Sequence, residues 1–119
     1  MPKYYKRKKS TDINYHLFKI KLDPPAPDIT INKQEQQRQI RHEVDHISAV
    51  TQNEVRKVWA HRCRKPHIII IDACAILKGK QVTYQAELYQ LKMTKQDLAD
   101  FEQVVRTELE KARLLDIMT

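Results

Sequence analysis

Apolar and polar positions alternate from Asn14 to Leu22 (NYHLFKIKL). Phe18, Ile20 and Leu22 fall on one side of an extended chain and Lys19 and Lys21 on the other, which predicts a strand with one wet, basic face. Asp23–Pro27 (DPPAP) ends it, because three prolines supply no amide hydrogen and hold an extended linker. From Ile31 to about Lys65 the period changes to that of a helix, after a polar opening rich in glutamine (Gln34, Gln36, Gln37, Gln39). Ile40, Val44 and Ile47 share one face, and Ser48-Ala49-Val50 interrupts the pattern. Thr51 followed by Glu54 has the spacing of a capping box, and Val55, Val58 and Trp59 make a new stripe while Arg56, Lys57 and Arg62 stay wet. The expectation is two short helices, tightly joined, with Pro66 stopping or kinking the second.

Residues 66–93 read in two ways. Ile68–Ile71, four isoleucines in a row, have strong strand propensity. Yet Pro66 suits the first turn of a helix, Asp72 to Leu77 is helix-friendly, and Gly79, the single glycine of the chain, stands where a helix would end. Val82–Met93 predicts one strand or a short hairpin, with Tyr84, Tyr89 and Leu91 on a core or sheet face. Thr94 then caps a helix with Asp97 as its third residue. Leu98, Phe101, Val105, Leu109, Ala112 and Leu115 supply the apolar stripe, either core or a seam against a second copy.

Charge narrows the function classes. The 119 residues carry 22 Lys and Arg against 15 Asp and Glu, a net +7, which favours a polyanionic partner. Residues 97–119 hold six acids and three bases, so residues 1–96 carry +10. Met1–Thr11 (MPKYYKRKKST) has five bases, no acid and paired Tyr4 and Tyr5, readable as a solubilising tail or as a phosphate-binding arm. Between Arg56 and His67 stand five more Lys or Arg, two His and no acid. No apolar run approaches the roughly 20 residues of a membrane span, and the basic start is not followed by a leader-like apolar core. Two cysteines, Cys63 and Cys74, are too few for a disulfide framework, so a reducing, cytosolic setting is expected. One glycine leaves no loop to cradle a nucleotide phosphate.

Taken in order, the MPKYY start, a strand, a helix ending in His46-Ile47-Ser48, Ala49–Val58 (AVTQNEVRKV), an apolar segment, Lys78-Gly79-Lys80 and Val82–Met93 resemble the HU/IHF family of DNA-bending proteins, in particular the HU-like proteins of Bacteroidetes and their phages. The likeness covers about residues 40–93. Thr51, Glu54 and Val55 match its second-helix opening, and Gly79, Lys80 and Val82 match its entry into the sheet. It implies an α+β fold, a helical pair with a small antiparallel sheet, here with a C-terminal amphipathic helix added. The corresponding division is a basic arm (1–13), an HU-like domain (14–93) and a C-terminal helix (94–119). The implied function is architectural binding of double-stranded DNA through phosphates, without base preference, by a homodimer in the cytoplasm (nucleoid) or in a virion. The cations expected to carry it are Lys3, Lys6, Arg7, Lys8 and Lys9 of the arm with Arg62, Arg64, Lys65, Lys78 and Lys80 of the body. The family's glycine turn is replaced by Gln85-Ala86-Glu87, and no long β-arm follows Met93, so strong bending is not implied. The same fold could instead serve a phage particle as an assembly protein, docking a partner through its acidic C-terminal helix.

Catalytic and metal constellations are thin. Asp72, Glu87 and Gln90-Leu91-Lys92 sketch a metal-dependent nuclease core if Ile68–Ile71 is a strand, whereas a helix over 68–76 fits the HU-like arrangement. His42 and His46 are one helical turn apart, and His61, Cys63, His67 and Cys74 cluster, but none shows the paired spacing of a zinc site. The expectation is a non-enzymatic binding protein with no cofactor and no bound metal.

Overall fold

The computed structural model describes residues 13–24, 32–78 and 81–118, with the side chains of 74–78 and 114–118 excepted. The elements run β1 (Ile13–Leu22), α1 (Lys33–Arg62), β2 (His67–Lys78), β3 (Gln81–Leu91) and α2 (Lys95–Met118). The three strands form one sheet in the order β1-β3-β2, and both outer strands run antiparallel to β3. β1 and β2 are therefore parallel to each other, with β3 inserted between them. The protein is α+β, with two helices and a small antiparallel sheet.

β1 follows its alternation. Ile20 and Leu22 are buried and Phe18 packs on the core, while Lys19 and Lys21 are exposed. The helical pair, by contrast, is one helix of 30 residues. Asn32 caps it, its side chain accepting from the Glu35 amide at 2.8 Å. Ile40, Val44, Ile47, Thr51, Val55 and Trp59 then form a buried row of unbroken three- and four-residue spacing. The interruption expected at Ser48-Ala49-Val50 does not occur, because those residues include neither proline nor glycine and none opposes a helix by more than about half a kcal/mol. Ser48 and Thr51 lie buried inside the stripe as small residues filling the seam. Thr51 caps nothing, and Glu54 pairs instead with Lys57 at 3.4 Å. The two-helix arrangement implied by the HU-like resemblance is corrected accordingly.

The second correction concerns 66–78. The helix ends at Cys63, whose amide donates to the Trp59 carbonyl at 2.7 Å, and the segment after Pro66 is strand β2. β-branched side chains at 68–71 prefer the pleated surface, and pairing with β3 gives them two environments: Ile69 and Ile71 point into the core, Ile68 and Ile70 away from it. Gly79 accordingly ends no helix. With Lys80 it joins β2 to β3, in a connection outside the described residues. β3 is a single strand, as one of the two readings had it.

α2 opens as expected. Thr94 Oγ1 accepts from the Asp97 amide at 3.0 Å and Asp97 Oδ2 accepts from the Thr94 amide at 3.1 Å, a reciprocal capping box. Phe101, Val105, Leu109 and Ala112 of the stripe are buried within the monomer, with Val104 beside them, so this part of it is core and not a seam; the Leu115 side chain lies outside those described. Phe101 stands at the centre, with Phe18 at 5.3 Å and Trp59 at 5.2 Å between ring centroids. α1 also guards an edge of the sheet: Gln52 Oε1 accepts from the Ile71 amide at 2.7 Å and Arg56 donates to the Ile69 carbonyl at 3.4 Å. These bonds occupy groups that an edge strand otherwise offers to another chain. Replacing Gln52 with leucine should leave the Ile71 amide unpaired and cost about 1–3 kcal/mol in chemical denaturation.

Candidate nucleic-acid interface

Three of the ten cations singled out in the sequence have described side chains, and the fold gathers them. Arg62 closes α1, Arg64 and Lys65 lie in the connection to β2, and all three are exposed. Pro66 keeps the helix from resuming and the chain bends at Lys65 before entering β2, so these bases are exposed at the end of the domain instead of continuing along a helix face. Lys65 Nζ donates to the Lys92 carbonyl at 3.0 Å, which ties the α1–β2 connection to the β3–α2 connection. Lys92 there has a left-handed backbone, φ 31°, and exposed Lys95 follows in the first turn of α2. Ile13, where the arm joins the sheet, pairs with Leu91 at this same end.

The base of this end is rigid. Trp59 Nε1 donates to Gln90 Oε1 at 2.6 Å, both residues are almost fully buried, and the Trp59 indole packs edge-on against Phe101. The last turn of α1 is thereby locked to the last inward-facing position of β3. Trp59→Phe should keep the packing but strand Gln90, whose Nε2 already has no partner. A loss of about 1–3 kcal/mol in urea denaturation is expected, and a loss below about 0.5 kcal/mol would show the bond to be idle.

The electrostatics are uneven. Arg62, Arg64 and Lys65 share a groove with Trp59 and Cys63, and its opposite wall carries Asp97 and Asp100 of α2. Positive charge is therefore partly cancelled within the groove and less so at its outer rim.

Other sequence-singled residues are dispersed. Lys78 lies at the far end of β2, paired with Gln81, a strand length or roughly 35 Å from Arg64 and Lys65. One continuous ridge from Arg62 to Lys80 does not exist, because a strand separates what a helix would have kept closer. Lys80 and the arm residues Lys3, Lys6, Arg7, Lys8 and Lys9 lie outside the described residues.

The strand at 68–71 is the conformation the nuclease constellation required, but the residues do not converge. Asp72 and Glu87 lie on the outer face of the sheet, whereas Gln90 is 1% exposed on the inner face and bound to Trp59. No group of three or more His, Cys, Asp or Glu side chains is placed to share a metal among the described residues. His42 and His46 are exposed on α1, and Cys63 is a half-buried free thiol.

No family model matches the chain, and neither a curated protein nor a solved structure resembles it significantly. No helix among the described residues is long and apolar enough to cross a membrane.

The sequence named Tyr84, Tyr89 and Leu91 as core or sheet-face residues; the register separates them, with Tyr84 buried on the inner face and Tyr89 and Leu91 on an outer face whose apolar extent the sequence reading missed. Tyr15 and Tyr89 lie side by side there, ring centroids 4.9 Å apart, and Tyr89 donates its hydroxyl to Glu87 at 3.2 Å. Its phenol is raised above the ordinary value, first by partial burial and then by the Glu87 carboxylate. The available signal was the second parity of each strand: Ile13, Tyr15 and Leu17 in β1, and Ile68 and Ile70 in β2.

Proposed function

We propose that this protein binds double-stranded DNA through its phosphates, using the five cations of the N-terminal segment together with Arg62, Arg64 and Lys65. The observation that carries the reading is that these three exposed bases stand at the end of the domain where that segment joins the sheet, with Lys92 and Lys95 beside them. Cations focused on one end act on the same stretch of polyanion, and each neutralised phosphate releases counterions. Guanidinium and ammonium groups on connections read backbone and not base edges, so little sequence preference is expected. Lys78 and Lys80 are not part of this end.

The test is the salt dependence of affinity, by fluorescence anisotropy on a labelled duplex. Substituting Arg62, Arg64 and Lys65 together by alanine removes three contacts and should reduce the slope of log K against log[salt] by about 2.7, with an unchanged circular dichroism spectrum. A wild-type affinity that does not change with salt ends the proposal.

A further inference from the structure

The helices cover only one face of the sheet. Every large hydrophobic side chain more than two-fifths exposed among the described residues lies on the other: Ile13 52%, Tyr15 50%, Leu17 43% and Ile68 58%. Ile70, Tyr89 and Leu91 fill the gaps between them, half-buried. A contiguous apolar patch of this extent on a polar protein marks an interface. We propose that this face is the contact between two copies of the chain, packed sheet on sheet about a two-fold axis that runs along β3.

The register supplies the argument. Across the sheet, in the order β1-β3-β2, the outward residues form rows: Tyr15–Tyr89–Ile68, then Leu17–Glu87–Ile70, then Lys19–Gln85–Asp72. The third row has a base at one edge, an acid at the other and an amide between them. A two-fold axis along the central strand lays β1 of one copy over β2 of the other without changing rows. Lys19 then meets Asp72 of the second copy, and the pair forms twice. Tyr15 meets Ile68 and Leu17 meets Ile70 in the same operation. An axis across the strands would instead press the charged row onto the apolar one, where unpaired charges are costly. Stacked sheets stand about 10 Å apart, a gap that a lysine and an aspartate bridge together.

Area sets the strength. Three strands of about ten residues present a footprint of roughly 500 Å² per copy, below the about 800 Å² of a standard interface, so a weak, concentration-dependent dimer is expected. Glu87 falls on the axis and faces its own copy. Tyr89 and Gln85 already donate to it, at 3.2 and 3.5 Å, and Glu87→Gln should tighten the association. A nucleic-acid strand fits this face less well, since aliphatic side chains outnumber aromatic ones and Asp72 and Glu87 repel phosphate. The axis keeps both basic ends on one side of the dimer. On the reading under Proposed function, two sets of phosphate-binding groups then act together.

Sedimentation of the full chain without nucleic acid tests the interface apart from DNA binding. The mass should rise from 14.2 kDa towards twice that value as concentration passes through about 10–100 µM. Ile68→Asp, at the most exposed position of the patch, should hold it at 14.2 kDa with unchanged circular dichroism. Lys19→Glu and Asp72→Lys should each weaken the dimer, and combining them should restore it. Edge-to-edge pairing through β1 would ignore Asp72, which is on β2, so failure of the swap to restore the dimer overturns the proposal. So does a mass that stays at 14.2 kDa at every concentration, or dimerisation insensitive to Ile68→Asp. Single-stranded oligonucleotide binding by a monomer, abolished by Tyr15→Ala, would reassign the face to nucleic acid and overturn it as well. Sedimentation is read without nucleic acid and the salt dependence is read on a duplex, so loss of the dimer leaves salt-dependent DNA binding by each copy to be judged on its own, and the two readings fail separately.

Discussion

Phe101→Ala is expected to lower stability by about 3–5 kcal/mol, the largest effect of any single substitution in this protein. The ring has no exposure and joins three elements, touching Phe18 of β1 and Trp59 of α1 from its own place on α2. Truncation removes its transfer free energy and leaves a cavity that two other aromatic rings cannot collapse into without losing their own contacts. Domains of this size are stable by only about 5–15 kcal/mol, so the variant should melt roughly 10–20 °C lower. Loss of Phe101 also loosens Trp59 and hence the base of the cationic end, so DNA affinity should fall only where the fold does. A fall in melting temperature of less than about 3 °C would show that Phe101 is not the centre of the core.

Removing residues 1–11 should have the largest effect on binding. The segment carries five of the eight cations assigned to phosphate contact, Arg62, Arg64 and Lys65 being the other three. At about 0.9 per contact the full chain has a slope near −7 and the truncated chain near −2.7. Raising salt from about 50 to 200 mM would then weaken the full chain roughly 10⁴-fold and the truncated one only about 40-fold. Folding should be unaffected, because the truncation stops short of β1. If the truncated protein kept the full slope, the segment would be a solubilising tail and the assignment of its five cations would be wrong.

What was legible in the sequence follows a simple division. β1, β3 and the capped start of α2 were readable because their signals are local: alternating side chains, a Thr94–Asp97 box, a stripe at three- and four-residue spacing. The middle was not. Ser48 and Thr51 look like a helix boundary because short hydroxyl side chains favour caps, and only the tertiary packing shows them buried within one uninterrupted helix. The four isoleucines at 68–71 suit both a buried helix and a strand, and pairing with β3 decided between them. That decision moved Lys78 a strand length away from Arg64 and set Gln90 against Asp72 and Glu87 on opposite faces.

The sequence by itself determined the class of the protein: a small, strongly basic α+β chain with a cationic start and a basic stretch before Pro66. Composition and period are properties of neighbours along the chain, and they survive any arrangement of the elements. Only the tertiary structure decided which cations share an end and which side chains of each strand are left uncovered. Both depend on β3 inserting between β1 and β2 with both helices on one face, contacts between residues far apart in the chain that no local pattern encodes.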